Sequence, residues 1–221
     1  MTVDLATAAR LLDACAAGIV LVGILIAGTR SIGRAILLVG AQAVFLAAAA
    51  LIVGISTGTS HLIVGGLLTL ATKAVAVPLI LGRILHQSPV RTERHPYIHP
   101  RISLIVAILI VFVTTAAIDG AALGRSLDAP RALPAAVAEV LTGLLIVMTR
   151  RKSLSIVVGL LVFENGLALT AFSLTYGMPL VIELGIAFDL LVAIVVVWIY
   201  ARRMLVTFGS LSTDELRNLR G

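Results

Sequence analysis

Seven predominantly apolar runs, each close to the roughly 20 residues that a helix needs to cross a bilayer, dominate this chain. They cover about 6–27, 34–55, 62–84, 102–124, 133–149, 153–175 and 179–201. Between them lie GTRSIGR, STGTSH, LHQSPVRTERHPYIHPR, GRSLDAPRALP, TRRKS and TYGMP, rich in Gly, Ser, Pro and charge. With 60% apolar and 13% charged residues and a mean hydropathy of +1.13, the chain has too little polar matter to cover a soluble domain of its size. The expected fold is all-α: a polytopic membrane protein of about seven transmembrane helices. The N-terminal run lacks a basic leader and carries Asp4 and Asp13, so it reads as a first span and not as a signal peptide.

The net charge of +6 is a topology signal, not a nucleic-acid one. Arg30 and Arg34 fall in the first loop, Arg83, Arg91, Arg94 and Arg101 in or beside the third, and Arg150, Arg151 and Lys152 in the fifth. Arg202, Arg203, Arg217 and Arg220 follow the last run, whereas the opposite side holds only Arg10, Arg125 and Arg131. Alternating helices then put the N-terminus outside and the C-terminus in the cytoplasm. The organisation reads as a four-helix part over 1–128, a three-helix part over 129–204 and a tail over 205–221. In the tail, Ser212 and Glu215 have capping-box spacing. A short amphipathic helix and a solvated tail both fit it.

The informative residues are the charges inside the runs. Glu164, in LVFENGLALT, and Lys73 each stand about eleven residues into a run, and Asp189 about ten, which at 1.5 Å per residue gives similar depth. Gln42 is near the same level. Glu139 and Glu183 are expected shallower, toward the outside, with Asp119 near the outer end of the fourth run. A charge at bilayer centre costs about 2.5–3.5 kcal/mol on insertion scales. Protonating a glutamate at neutral pH costs roughly as much, so its neighbours decide whether the proton is held. That is the physics of a proton relay; a static ion pair holding helices together is the alternative use. Glu183 and Asp189 point about 120° apart, some 9 Å along one helix, and so are stepping stones and not a dyad.

No Gly-rich phosphate loop and no CxxC occurs, and the single Cys15 lies in an apolar run. His95 and His99 are four apart, but Pro96 and Pro100 argue against a helix there. Ser153 and Ser155 read as helix-start residues. No cofactor or metal site is expected in this chain.

The stretch FENGLALTAFSLTYGMPLVIELGIAFDLLVAIVVVWIYARRM, closing with STDELRNLRG, resembles the hydrogenase-4 component E family. Lys73 in LATKAVAVPLIL fits the longer pattern of that family. Residues 134–221 also resemble, more distantly, subunit K of respiratory complex I. In that subunit two helices each carry a mid-membrane carboxylate of the proton path, at positions matching Glu164 and Asp189. Subunit K usually has glutamate at the second position, so Asp189 is a shorter variant, with Glu183 as an extra acid nearby. The resemblance implies a multi-pass subunit of a bacterial or archaeal cytoplasmic (inner) membrane complex, itself non-catalytic. It implies antiporter-like membrane subunits and a cytoplasmic redox arm as partners, with any nickel–iron (NiFe) centre and iron–sulfur clusters in those partners. The implied relay residues are Glu164, Asp189, Lys73 and Glu183, with Glu139 and Asp119 weaker. A stand-alone secondary transporter and a non-conducting scaffold remain the alternatives, and nucleic acid is not a partner of any of them.

Overall fold

Apolar runs fold as helices in lipid because every backbone N–H and C=O must be satisfied within the segment. The computed structural model describes residues 5–86, 91–93, 96–120, 132–175 and 198. Among them, six helices are long and apolar enough to cross a membrane. They are α1 (Leu5–Gly28), α2 (Ile32–Thr57), a composite third span, α5 (Pro100–Gly120), α6 (Ala132–Thr149) and α7 (Ser153–Thr175). The first six apolar runs thus correspond to these six helices. The seventh, with Glu183 and Asp189, lies outside the described residues except for Trp198, which packs against the main apolar core. The tail lies outside them too.

The composite span is α3 (Ser60–Thr69), a π-helical segment (Leu70–Ala76) and α4 (Val77–His86). Its cause is Pro78. A proline offers no amide hydrogen and its ring presses on the carbonyl four residues back, here Ala74. Widening the preceding turns relieves that contact, and the Val77 N–H reaches back to the Thr72 carbonyl. The ring sits against Gly40 of α2, where a methyl group would come within 2.9 Å of Pro78 Cγ. Ser31 caps α2, its hydroxyl accepting from the Arg34 N–H at 3.4 Å. At the other end Gly58 adopts φ +68°, which turns the chain directly into α3.

The packing is inside-out relative to a soluble bundle. Phe112, Leu37 and Met148 are 71%, 70% and 69% exposed, while Gln42 and Glu139 are fully buried. The main core joins Val22 and Ile26 of α1, Ile36 of α2, Leu81 of α4, Ile146 of α6 and Leu161 of α7.

The arginine-rich loops meet at one end, as alternating spans require. The Ile32 N–H donates to the Arg91 carbonyl at 3.2 Å, Glu93 N–H to Arg30 at 3.0 Å and Tyr97 N–H to Thr149 at 3.0 Å. Glu93, which composition gives no reason to single out, is the buried centre of this knot. Its Oε1 accepts from the Arg151 and Lys152 N–H groups at 2.6 and 3.2 Å, anchoring the α6–α7 turn. Its Oε2 lies 3.8 Å from Arg150 Nη1, and Arg150 Nη2 donates to the Ala27 carbonyl at 2.6 Å. Arg151 stacks over the Tyr97 ring at 4.6 Å. Burial lowers the affinity of the Arg150 guanidinium for its proton below the ordinary arginine value, and Glu93 partly offsets this. Glu93→Ala removes the carboxylate from a buried arginine and two amides. The expected loss is about 3–5 kcal/mol, read as a lowered unfolding midpoint in detergent. An unchanged midpoint would mean that the knot contributes nothing.

A polar layer inside the bundle

Glu164 and Asn165 stand mid-way along α7, and their helix lies unusually close to α6. A methyl group on Gly143 would come 2.3 Å from the Phe163 backbone nitrogen, and one on Gly166 would come 2.5 Å from that of Val140. Contact this close needs residues without side chains. It brings Glu139, one turn before Gly143, to the level of the Glu164–Asn165 pair.

Two polar clusters form there. In the first, Lys73 Nζ, carried on the π-helical segment, lies 2.6 Å from Glu164 Oε1. Both side chains are about nine-tenths enclosed. In the second, Gln42 is the hub. Its Nε2 donates to the Ile19 carbonyl of α1 at 3.0 Å and to Glu139 Oε1 at 2.5 Å. Its Oε1 accepts from Asn165 Nδ2 at 2.9 Å. These bonds use both amide hydrogens and fix which way the amide points. Because Glu164 and Asn165 are neighbours in sequence, the clusters form one layer crossing α1, α2, the π segment, α6 and α7. Among the described residues, Glu139 Oε2, Glu164 Oε2 and Asn165 Oδ1 have no hydrogen-bond partner. Gly23 of α1 makes room for the Glu139 carboxylate: a methyl group there would sit 2.4 Å from Oε1.

The layer pairs Lys73 with Glu164, a choice that depth alone leaves open. It corrects the expectation for Glu139, which is not shallow but bonded to Gln42 at the level of the other polar residues. The reason is the shortness of α6: Glu139 is the eighth residue of an 18-residue helix and so falls near its middle. Asp119 lies at the end of α5, with its side chain outside the described residues, as are Asp189 and Glu183 entirely. Gln42 and Asn165 complete the layer, and the signal for both is an amide deep in an apolar run. His95 lies outside the described residues; His99 contacts Arg30, and no metal-binding group of three ligands occurs among the described residues.

The arrangement gathers acid, base and amide groups in the interior of the bundle. Within each cluster the buried polar groups are paired with one another, whereas a lone buried charge would be stranded.

No known family model matches the chain, and no solved structure matches it. It is 34% identical over 214 residues to the uncharacterized protein Rv0085 of Mycobacterium tuberculosis, covering 95% of this chain and 96% of that one. Over 150 residues it is 29% identical to hydrogenase-4 component E of Escherichia coli K12, covering 68% of this chain and 69% of that protein. The hydrogenase-4 component E of Shigella flexneri gives the same figures.

Proposed function

We propose that this chain, which belongs to one family with the mycobacterial protein Rv0085 and is homologous to hydrogenase-4 component E, is an integral membrane subunit of a hydrogenase-4-like or complex I-like respiratory complex. In this reading it has no redox centre of its own. It contributes a lateral proton path through the membrane, and redox chemistry in a cytoplasmic arm held by partner subunits drives that path. The observation that carries the reading is the buried layer in which Lys73 pairs with Glu164 beside Glu139–Gln42–Asn165.

Each residue has a distinct part. Glu164 takes up and releases the proton, and Lys73 sets its charge state by staying close or moving away. Lys73 stands on the π segment, a local departure from regular helix of the kind frequent at functional sites. Gln42, itself held by Asn165, orients Glu139 and ties the layer to α1 through the Ile19 carbonyl. Asp189 and Glu183 extend it through the last run in the manner of subunit K, with residues 129–204 as the subunit K-like part. The basic end faces the cytoplasm of a bacterial or archaeal cell, where the redox arm docks.

The first test is co-purification of the tagged chain in mild detergent. Antiporter-like membrane subunits and a metal-containing arm are expected to come with it. A chain that elutes alone or only with itself would overturn the assignment and favour a stand-alone transporter.

A further inference from the structure

On the basic end, beside the Glu93 knot and away from the polar layer, a groove of about 520 Å³ opens between the α1–α2 turn and the start of α5. Arg30, Arg34 and Arg101 line its rim, all three exposed, together with His99. Leu25, Leu38 and Leu104 line its deeper part, on helix surfaces that belong to the hydrocarbon. Among the described residues, no acidic side chain lines it. Glu93, the acid of this region among the described residues, is buried and turned toward Arg150 and the α6–α7 turn.

The charge of the groove is therefore uncompensated from within. His99 makes the point at atomic scale. Its Nε2 meets the Arg30 guanidinium and its Nδ1 faces the Arg101 N–H at 3.3 Å. A guanidinium and an amide are donors only, and a neutral imidazole has a single acceptor nitrogen. His99 thus offers these donors at most one acceptor and adds no negative charge to the rim. Free anions satisfy the rim alone. The apolar wall directly below, running toward the membrane interior, fits a ligand with an anionic head and a hydrocarbon tail.

We propose that this groove binds one anionic phospholipid, the phosphate held by Arg30, Arg34 and Arg101 and an acyl chain laid along Leu25, Leu38 and Leu104. Basic pockets between helices at a membrane surface recognise lipid head groups by this chemistry. Lipid bound here would brace the α1–α2 turn against α5 from outside, opposite the Glu93 knot.

The test is native mass spectrometry of the assembled, detergent-purified complex in the presence of phosphatidylglycerol or phosphatidylcholine. The expected result is retention of phosphatidylglycerol in preference to phosphatidylcholine, with affinity falling about tenfold or more in Arg34→Gln/Arg101→Gln. Leu25→Trp keeps every charge and fills the apolar wall from an exposed position. It should weaken retention similarly, so the proposal does not hang on one variant folding. Millimolar inorganic phosphate should not displace the lipid. Four outcomes would overturn the proposal: undiminished retention in both variants, equal retention of phosphatidylcholine, displacement by phosphate alone, or cross-linking of the groove to a partner polypeptide in a complex free of lipid.

Discussion

Glu164→Gln is expected to leave the chain assembled in its complex while proton movement through it falls by an order of magnitude or more. The glutamine keeps the volume and one acceptor oxygen for Lys73, so packing across the π segment persists, at a cost in stability because Lys73 loses its countercharge. What it removes is the only proton-carrying group that Lys73 touches among the described residues. The measurement is acidification-linked dye quenching in sealed vesicles holding the intact complex, normalised to its redox turnover. Full pumping in an assembled Glu164→Gln complex would end the relay reading.

The companion variants separate relay from scaffold. Lys73→Met leaves a buried carboxylate without its cation and should cost about 3–5 kcal/mol of stability. Lys73→Met/Glu164→Gln should recover most of that loss, because neither charge remains stranded. A scaffold regains all function along with stability. A relay regains stability and not proton movement.

Gly143→Ala is expected to do the opposite: little chemistry changes, but the fold fails. The added methyl meets the Phe163 backbone nitrogen at 2.3 Å, and backbone cannot rotate away as a side chain can. The α6–α7 pair would have to separate, breaking the register that sets Glu139 beside the Glu164–Asn165 turn. A cost of about 3 kcal/mol or more is expected, seen as loss of the protein from the membrane fraction or a sharply lowered unfolding midpoint. Gly82→Ala is the control. Among the described residues nothing lies within 4 Å of a methyl group there, so the better helix former should be neutral or stabilising by a fraction of a kcal/mol. Equal behaviour of the two variants would mean that the α6–α7 contact is looser than described.

Particular residues show how far sequence reasoning reaches. Lys73 and Glu164 were legible because a charge in an apolar run is costly wherever the helix goes, and helical rise converts position to depth. Their pairing was not legible, since depth says nothing of which face a residue occupies. Glu139 was misjudged because depth counted from a run's edge drifts when the helix is short. Glu93 carried no signal: in a loop rich in arginine a glutamate looks like solvated charge, and only the folding of three loops onto each other makes it a buried cap.

The sequence by itself determined that the described residues form six helices long and apolar enough to cross a membrane, where these lie to within a few residues, and that the first, third and fifth loops share an end. Those properties follow from the transfer energy of each segment and from alternation, and need no knowledge of neighbours. The tertiary structure decided the rest. Glycine-to-backbone contact of α6 with α7 assembles the polar layer, and the turns widened before Pro78 deliver Lys73 to Glu164. In lipid, apolar faces are nearly interchangeable, so the choice of partner falls to close fit and to the few polar groups that must find one another.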